Sequence, residues 1–189
     1  MELFGSSGIR GVVNDEITPG FGIALGSAVG SGYRRVVIGY DTRTSNIMVS
    51  SAIVAGLLST GAEVHNAGMV ATPTLARAAK KFDCGIMVTA SHNPAEYNGV
   101  KLWNPSGMAF TDEQATDIER LLKSRKFTKA RWDEINNSHV YENAVREHID
   151  SIRDGIGHLN MKVVIDCGSG AASNITPTFS ASSAAAFSL

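Results

Sequence analysis

A serine and a lysine ten positions apart frame the segment of this sequence that is best equipped for chemistry. Ser91 begins the sequence Ser-His-Asn-Pro, and Lys101 follows the loop that this sequence predicts. The apolar run Cys84–Val88 predicts a buried strand leading into the loop, and the alternation over residues 99–103 predicts a second strand leading out. A nucleophilic hydroxyl at a strand end with a cation beside it is what phosphoryl transfer needs. The simpler interpretation is a polar turn whose histidine and asparagine cap backbone groups.

Three segments of the sequence resemble motifs of one enzyme family. They are Phe4-Gly5-Ser6-Ser7-Gly8-Ile9-Arg10-Gly11, then Gly39-Tyr40-Asp41-Thr42-Arg43, then Thr89-Ala90-Ser91-His92-Asn93-Pro94 with Tyr97-Asn98-Gly99-Val100-Lys101. Their order and spacing are similar to those of the α-D-phosphohexomutases, isomerases that interconvert sugar 1-phosphates and sugar 6-phosphates. The first segment departs from the family's Phe-Gly-Thr-Ser-Gly-Ile-Arg-Gly at Ser6. The resemblance covers residues 1 to about 178.

This resemblance implies a role for each polar residue of the motifs. Ser91 would be the phosphoserine that carries the transferable phosphoryl group, and the charge of phosphoserine requires cations nearby. Arg10 would grip the reacting phosphate through its guanidinium fork. Lys101 would transfer a proton or stabilise charge. Ser7 and Asn93 would join Arg10 and Lys101 in binding the substrate.

Two further features of the motifs have open or modest interpretations. His92 would either orient the phosphate, as a member of the catalytic group, or satisfy the backbone, and the sequence favours neither. Asp41 and Arg43 are expected to form an ion pair that braces a loop rather than to act in catalysis. Asp41 and Ser91 are both expected at the carboxyl ends of strands, where sites gather in α/β sheets.

The resemblance also implies a Mg²⁺ ion and a hexose phosphate substrate, with a bisphosphorylated sugar as activator. In the family, aspartates of an Asp-Gly-Asp-x-Asp-Arg loop hold the ion together with the phosphoserine, here Ser91. This sequence contains no such loop, nor the family's later sugar-binding and phosphate-binding segments. We therefore expect the chain by itself to be catalytically negligible. The opening motif slightly favours phosphoglucosamine over phosphomannose or phosphoglucose as the substrate.

Composition argues against several other classes of protein. The net charge is -1, from 17 basic and 18 acidic residues, so no nucleic-acid partner is expected. No run approaches the ~18 apolar residues of a membrane span, and the first residues lack a signal peptide. Cys84 and Cys167 lie in apolar runs and are expected to be buried thiols in a reducing cytoplasm. The histidines have no metal-ligand spacing, which predicts no zinc site. The oligomeric state is left open.

Strand and helix signals alternate along the chain, which predicts a three-layer αβα fold with a mostly parallel sheet. Helices are predicted over residues 21–29, 48–58, 72–81, 112–122 and 143–153, and strands over residues 36–39, 62–65, 84–88, 99–103 and 161–165. Residues 1–153 would form the phosphoserine domain and residues 154–160 a linker. Residues 161–189 would be the truncated start of a second, similar domain.

The end of the sequence suggests a change of reading frame. Residues 179–189 carry no charge and show no clear period, whereas family members continue with an amphipathic helix and a strand. Codons permitted for these residues, read one base out of frame, can encode Leu-Leu-Arg-Glu-Leu-Gly-Cys-Arg-Val-Leu-Thr, which fits that pattern. We favour a frameshift over a functional short form.

Two other classes of function remain open at this point. The chain could be a non-catalytic remnant that binds a partner through an apolar edge exposed at residues 161–165. It could also be a nucleotide-binding domain that uses residues 166–172, although the full Gly-x-Gly-x-x-Gly pattern is missing. Neither alternative explains the Ser91 loop and the Arg10 motif together.

Overall fold

A computed structural model of the chain describes residues 4–5, 8–153 and 164–178. Its strands are β1 Ile9–Val12, β2 Arg35–Tyr40, β3 Glu63–Met69, β4 Cys84–Val88, β5 Tyr97–Trp103 and β6 Ser138–Val140. Its α-helices are α1 Pro19–Gly32, α2 Asn46–Ser59, α3 Thr72–Ala79, α4 Asp112–Ser124 and α5 Ala144–Arg153. Among the described residues, the strands form one sheet in the order β1-β5-β4-β2-β3-β6.

Within this sheet, only β5 runs against the other strands. β2 pairs in parallel with β4 and with β3, and β3 pairs in parallel with β6. β5 lies between β1 and β4 and is antiparallel to both. The predicted α/β fold with a mostly parallel sheet is therefore confirmed, with one reversed strand near its edge.

The sheet separates two hydrophobic cores, because alternate residues of a strand point to opposite faces. On one face, Val36 and Ile38 of β2 pack with apolar residues of α1, α2 and α4. On the other face, Val37 packs with α3 and the start of α5. These two layers of helices account for the predicted three-layer arrangement, and they fix the strand ends on which the candidate site lies.

Several elements of the structure differ from those predicted from the sequence. β1 and β6 were not predicted, because β1 contains a glycine and an arginine and β6 is a three-residue exposed strand at the sheet edge. Val164 and Ile165 are not part of a strand, although one was predicted over 161–165; the described stretch around them is mostly exposed and has no pairing partner among the described residues. Residues 154–163, with the predicted linker, and the tail 179–189 lie outside the described residues.

The two cysteines differ from each other in burial. Cys84 on β4 is fully buried, as predicted, and burial raises the pKa of its thiol far above the usual 9.0. Cys167 is only half-buried, so its prediction was wrong, because the segment around it packs little surface against the domain. No helix in the described part of the chain is both long and apolar enough to cross a membrane.

Two glycines let α1 and α2 pack backbone against backbone. A Cβ atom at Gly26 would lie 2.1 Å from the carbonyl oxygen of Ile53, and one at Gly56 would lie 2.1 Å from that of Ile23. Real side-chain atoms do not approach a backbone oxygen so closely, so neither position accepts a larger residue without separating the helices.

Replacement of Gly26 with alanine is expected to lower the free energy of unfolding by about 1–3 kcal/mol, as overpacking does. The matched control is Gly32→Ala at the exposed end of the same helix, where an added Cβ would meet nothing within 4 Å. That control should be neutral or slightly stabilising, because alanine favours helix. Urea denaturation followed by circular dichroism measures both, and equal stabilities would contradict the close packing of α1 on α2.

Candidate active site at the β4–β5 loop

The loop of residues 89–96 connects β4 to β5 at one edge of the sheet. Because these strands are neighbours and antiparallel, the chain turns back at once and the loop projects beyond the sheet. Thr89 and Ala90 at the start of the loop are buried, whereas Ser91 and His92 are exposed. Ser91 therefore stands on a buried stem with its side chain open to a ligand.

Ser91 has a strained backbone that hydrogen bonds hold in place. Its φ of 59° lies in the left-handed region, which costs a non-glycine residue about 1–2 kcal/mol. The Ser91 amide donates to Thr89 Oγ1 at 2.9 Å, and the Thr89 hydroxyl in turn donates to Asp41 Oδ2 at 2.6 Å. The carboxylate at the end of β2 thus helps to fix the conformation of the serine.

Arg43 contacts the same loop from the end of β2. Its Nε lies 3.5 Å from Asp41 Oδ2, so the predicted ion pair is confirmed. The two Nη atoms donate at 2.7–3.0 Å to four loop carbonyl oxygens, those of Ser91, Asn93, Pro94 and Tyr97. The guanidinium therefore braces the whole loop, as predicted for the ion pair, through four backbone contacts that the sequence did not indicate.

Two asparagines extend this polar network into the protein. Asn98 Nδ2 donates to Ser45 Oγ at 2.8 Å and to Asn46 Oδ1 at 2.9 Å. Asn46 Nδ2 donates to Asp41 Oδ1 at 2.7 Å. Asn98 is completely buried, and the signal that could have revealed its role is an amide at an inward position of a strand. The network joins β2, α2 and β5 beneath the loop.

Arg10 reaches the loop from β1. It lies opposite Gly99 of β5, where a Cβ atom would lie 2.3 Å from the carbonyl oxygen of Ile9, so the glycine permits this approach of the strands. Arg10 Nη1 donates to Asn93 Oδ1 at 2.7 Å. Arg10 Nε is buried and has no hydrogen-bond partner among the described residues. Two residues predicted to belong to the site are thus in direct contact.

Lys101 lies on β5, two residues beyond the position that pairs with Arg10. Gly8, with a φ of 83°, packs on it so closely that a Cβ atom there would lie 2.9 Å from Lys101 Cγ. Partial burial and then the positive charge of Arg10 lower the pKa of Lys101 from its usual 10.5. Lys101 also lines a cavity of about 430 Å³ at the start of α4. Arg10 and Lys101 are thus close enough to influence each other electrostatically.

His92 and Ser7 complete the set of predicted site residues. His92 Nδ1 lies 3.5 Å from Ser91 Oγ, and both side chains are exposed. Ser7 lies outside the described residues. The structure therefore gathers Ser91, His92, Asn93 and Arg10 in one cluster with Lys101 on the adjoining strand.

The described residues could supply only one ligand to a Mg²⁺ ion. No group of three or more His, Cys, Asp or Glu side chains in the described ranges could hold a metal ion. Asp41, the carboxylate beneath the loop, is occupied by Thr89, Asn46 and Arg43. A phosphate on Ser91 is the donor that this site would offer to a metal.

The histidines include one close pair that serves packing. His65 of β3 and His139 of β6 lie side by side, with ring centroids 5.5 Å apart. His65 also contacts the rings of Phe82 and Tyr141 and Glu63 at 2.7 Å. This pairing was not predicted, because it depends on the register of two strands distant in sequence. The contact between His65 and His139 does not test the prediction that the chain has no zinc site.

Comparison with known proteins places this architecture among sugar-phosphate mutases. Residues 1–129 match the family described as "Phosphoglucomutase/phosphomannomutase, alpha/beta/alpha domain I". A relative from Methanococcoides burtonii named "Probable phosphoglucosamine mutase" is 49% identical over 177 residues, which cover 94% of this chain and 41% of that protein. A "Phosphopentomutase" from Thermococcus kodakarensis is 42% identical over 181 residues, covering 94% of this chain and 40% of that protein.

A solved structure gives the same result for the fold. The solved structure is that of a phosphoglucomutase/phosphomannomutase family protein from Burkholderia thailandensis. It matches this chain with a TM-score of 0.82 and 28% sequence identity. The match covers 97% of this chain and 42% of that protein. This chain therefore spans about two fifths of the length of the curated relatives and of the solved structure that it matches.

Replacement of Arg10 with methionine is expected to raise the pKa of Lys101, because the variant loses the charge that opposes protonation while the stem stays partly buried. The Nζ titration followed by NMR, with exposed Lys126 as the internal reference, measures the change. A Lys101 titration identical in the two proteins would contradict the electrostatic coupling of the two cations.

The same coupling predicts a direction for stability against pH. Between the lowered pKa of Lys101 and 10.5, the unfolded chain binds more protons at this lysine than the folded chain. The contribution of Lys101 to stability therefore rises with pH in that window. The Arg10→Met variant should show a smaller rise than the wild type in urea denaturation across the window.

Proposed function

The chain belongs to the phosphoglucomutase/phosphomannomutase family, whose domain I it contains, and from this premise we propose that it is the phosphoserine domain of a phosphohexomutase. Phosphorylated Ser91 would donate its phosphoryl group to a hexose monophosphate. The resulting bisphosphate would reorient, and the other phosphoryl group would return to Ser91. In each half-reaction one serine–phosphorus bond breaks or forms as one sugar oxygen–phosphorus bond forms or breaks.

The observation that carries the proposal is an exposed serine held in a strained, hydrogen-bonded loop that Arg10 contacts through Asn93, with Lys101 close enough to Arg10 to feel its charge. Ser91 is open to a ligand, while Asp41 and Thr89 fix its backbone. Arg10 and Lys101 lie on the adjoining strands. Preorganised cations of this kind stabilise charge that develops on a transferring phosphoryl group.

We propose a separate role for each side chain of the site. The guanidinium fork of Arg10, held by Asn93, would bind phosphate oxygens. Lys101, whose pKa is lowered, would exchange a proton with the sugar hydroxyl or stabilise charge. We assign His92 to orienting the phosphate on Ser91, since its ring lies beside the serine hydroxyl. Ser7 is proposed as a further substrate contact from the family motif.

Mg²⁺ is the proposed cofactor of the complete enzyme, where it would neutralise charge on the phosphoryl group. This chain's contribution to the metal would be an oxygen of the Ser91 phosphate. The bisphosphorylated sugar is the proposed activator, because it can place a phosphoryl group on an unmodified serine.

The proposed substrate is a glucosamine phosphate. The 49% identical relative carries the name phosphoglucosamine mutase, and the opening motif points the same way. Phosphomannose, phosphoglucose and a pentose phosphate are the competing substrates, since a phosphopentomutase is 42% identical. We propose a cytoplasmic enzyme in which residues 1–153 form the phosphoserine domain and residues 154–160 lead into a second domain.

A chimeric enzyme tests this function. Residues 1–153 replace the corresponding domain of the Methanococcoides burtonii relative, and the interconversion of glucosamine 6-phosphate and glucosamine 1-phosphate is measured. The chimera should turn over, and Ser91→Ala should lower kcat by about 10³-fold or more, as removal of a nucleophile does. Ser138→Ala on exposed β6 is the matched control and should have no effect. A folded but inactive chimera, or an active Ser91→Ala variant, would overturn the proposal.

The chain as it stands is expected to show no mutase turnover. Its described residues offer a metal only the Ser91 phosphate, and they hold no complete donor set for the ion. The assay uses the 189-residue chain with Mg²⁺, glucosamine 6-phosphate and the 1,6-bisphosphate, against Ser91→Ala as the blank. Turnover clearly above that blank would contradict the expectation.

A further inference from the structure

We propose that Arg43 is the positioning residue of this site: its guanidinium holds the Ser91 loop in the conformation that presents the serine to Arg10 and Lys101. The chemical meaning of the inference rests on the proposed function, because it takes Ser91 as the phosphoryl carrier. The geometry behind it is independent of any activity.

The contacts of Arg43 span the loop from its first part to its last. Nη2 donates to the carbonyl oxygens of Ser91 and Asn93, at 3.0 and 2.7 Å. Nη1 donates to those of Pro94 and Tyr97, at 2.7 and 2.9 Å. One planar group therefore ties together four backbone acceptors, of which the Pro94 carbonyl also accepts from the Tyr97 amide. A loop closed around a guanidinium in this way has few alternative conformations.

Arg43 is itself fixed to the rigid part of the domain. Its side chain is only 12% exposed, and its backbone amide donates to Asp41 Oδ1 at 3.0 Å. The Arg43 carbonyl accepts from the amide of Asn46, the first residue of α2. The Arg43 guanidinium thus holds the loop in a fixed position relative to β2 and α2.

The same contacts argue against a direct catalytic role. Both Nη atoms point at loop carbonyls, and Nε faces Asp41. A phosphate on Ser91 would have to displace one of these partners to bind the guanidinium. The Nε atoms of Arg43 and Arg10 are both buried without a hydrogen bond among the described residues. Among those residues Arg10 donates to one side chain, that of Asn93, and is therefore better placed for phosphate. Arg43 therefore acts through the loop and not on the substrate.

The planar shape of the Arg43 guanidinium matters more for holding the loop than its positive charge does. A lysine at position 43 would keep the positive charge, but an ammonium group cannot donate to four carbonyls spread over both edges of a plane. Arg43→Lys therefore separates geometry from electrostatics. Arg120→Lys is the matched control, since Arg120 is an exposed residue of α4 that forms a surface salt bridge with Asp117.

Hydrogen exchange of the full chain measures the order of the loop directly. The amides of Ser91, Asn93 and Tyr97 are hydrogen-bonded within the loop and should exchange slowly in the wild type. Arg43→Lys should speed their exchange about tenfold or more, because charged hydrogen bonds to the carbonyls are lost. Arg120→Lys should leave it unchanged. Loop exchange in Arg43→Lys equal to that in the control would overturn the inference.

A second measurement reports the position of the phosphate, which a general loss of stability would not move. The chain is prepared with phosphoserine at position 91, and the ³¹P signal is titrated. In the wild type the midpoint should lie below the ~6 of free phosphoserine, because the loop holds the phosphate beside two cations. In Arg43→Lys it should return towards that value, although the total charge is the same. An unmoved midpoint would count against positioning.

A second variant covers the case in which Arg43→Lys does not fold. Asp41→Asn keeps the guanidinium but removes the charge that orients it, so faster exchange of the Asn93 and Tyr97 amides supports the inference and unchanged exchange overturns it. The Ser91 amide is left out of this comparison because it donates to Thr89, which Asp41 holds directly. Failure of the chimera to turn over, with a loosened loop in Arg43→Lys, would reject the mutase function and retain the positioning role. An active chimera with an unchanged loop would do the reverse.

Discussion

The carboxylate of Asp41 is the interaction on which the rest of the site depends. It accepts hydrogen bonds from Thr89, Asn46 and the Arg43 backbone, and it faces the Arg43 guanidinium. Each of these partners belongs to a different piece of the site: the stem of the loop, the start of α2 and the hub of the loop. A carboxylate taken out of water is stable only when it is paired and hydrogen-bonded. The complete set of donors around Asp41 explains why several segments converge at this point.

The fold supplies these partners through its strand order. β5 runs antiparallel between β1 and β4, so the loop that carries Ser91 starts and ends at one sheet edge. β1 adds Arg10, which contacts Asn93 of the loop, and β5 adds Lys101, which lies close enough to Arg10 to feel its charge. Partial burial, and then repulsion between the two cations, lowers the pKa of Lys101. A negatively charged phosphate on Ser91 would relieve that repulsion, so the charges of Arg10 and Lys101 complement such a modification.

Sequence reasoning reached most of this fold and part of this site, for physical reasons that differ between elements. Strands such as Cys84–Val88 and the capping box at Thr111 are local patterns, which a sequence displays directly. β1 was missed because it contains a glycine and an arginine and because the partner of Arg10, Gly99, lies 89 residues away along the chain. The four contacts of Arg43 were missed because their acceptors are backbone oxygens, which every residue possesses. Ser91, Arg10 and Lys101 were found through family motifs and not through composition or period.

The central claim is that Ser91 Oγ is the atom that carries the phosphoryl group. The most direct test is to incubate the active chimera with glucosamine 1,6-bisphosphate labelled with ³²P, to quench within the first turnover and to map the labelled peptide. Our account predicts label on Ser91 alone, with none in the Ser91→Ala protein. Turnover without label on Ser91, or with label on another residue, would contradict it.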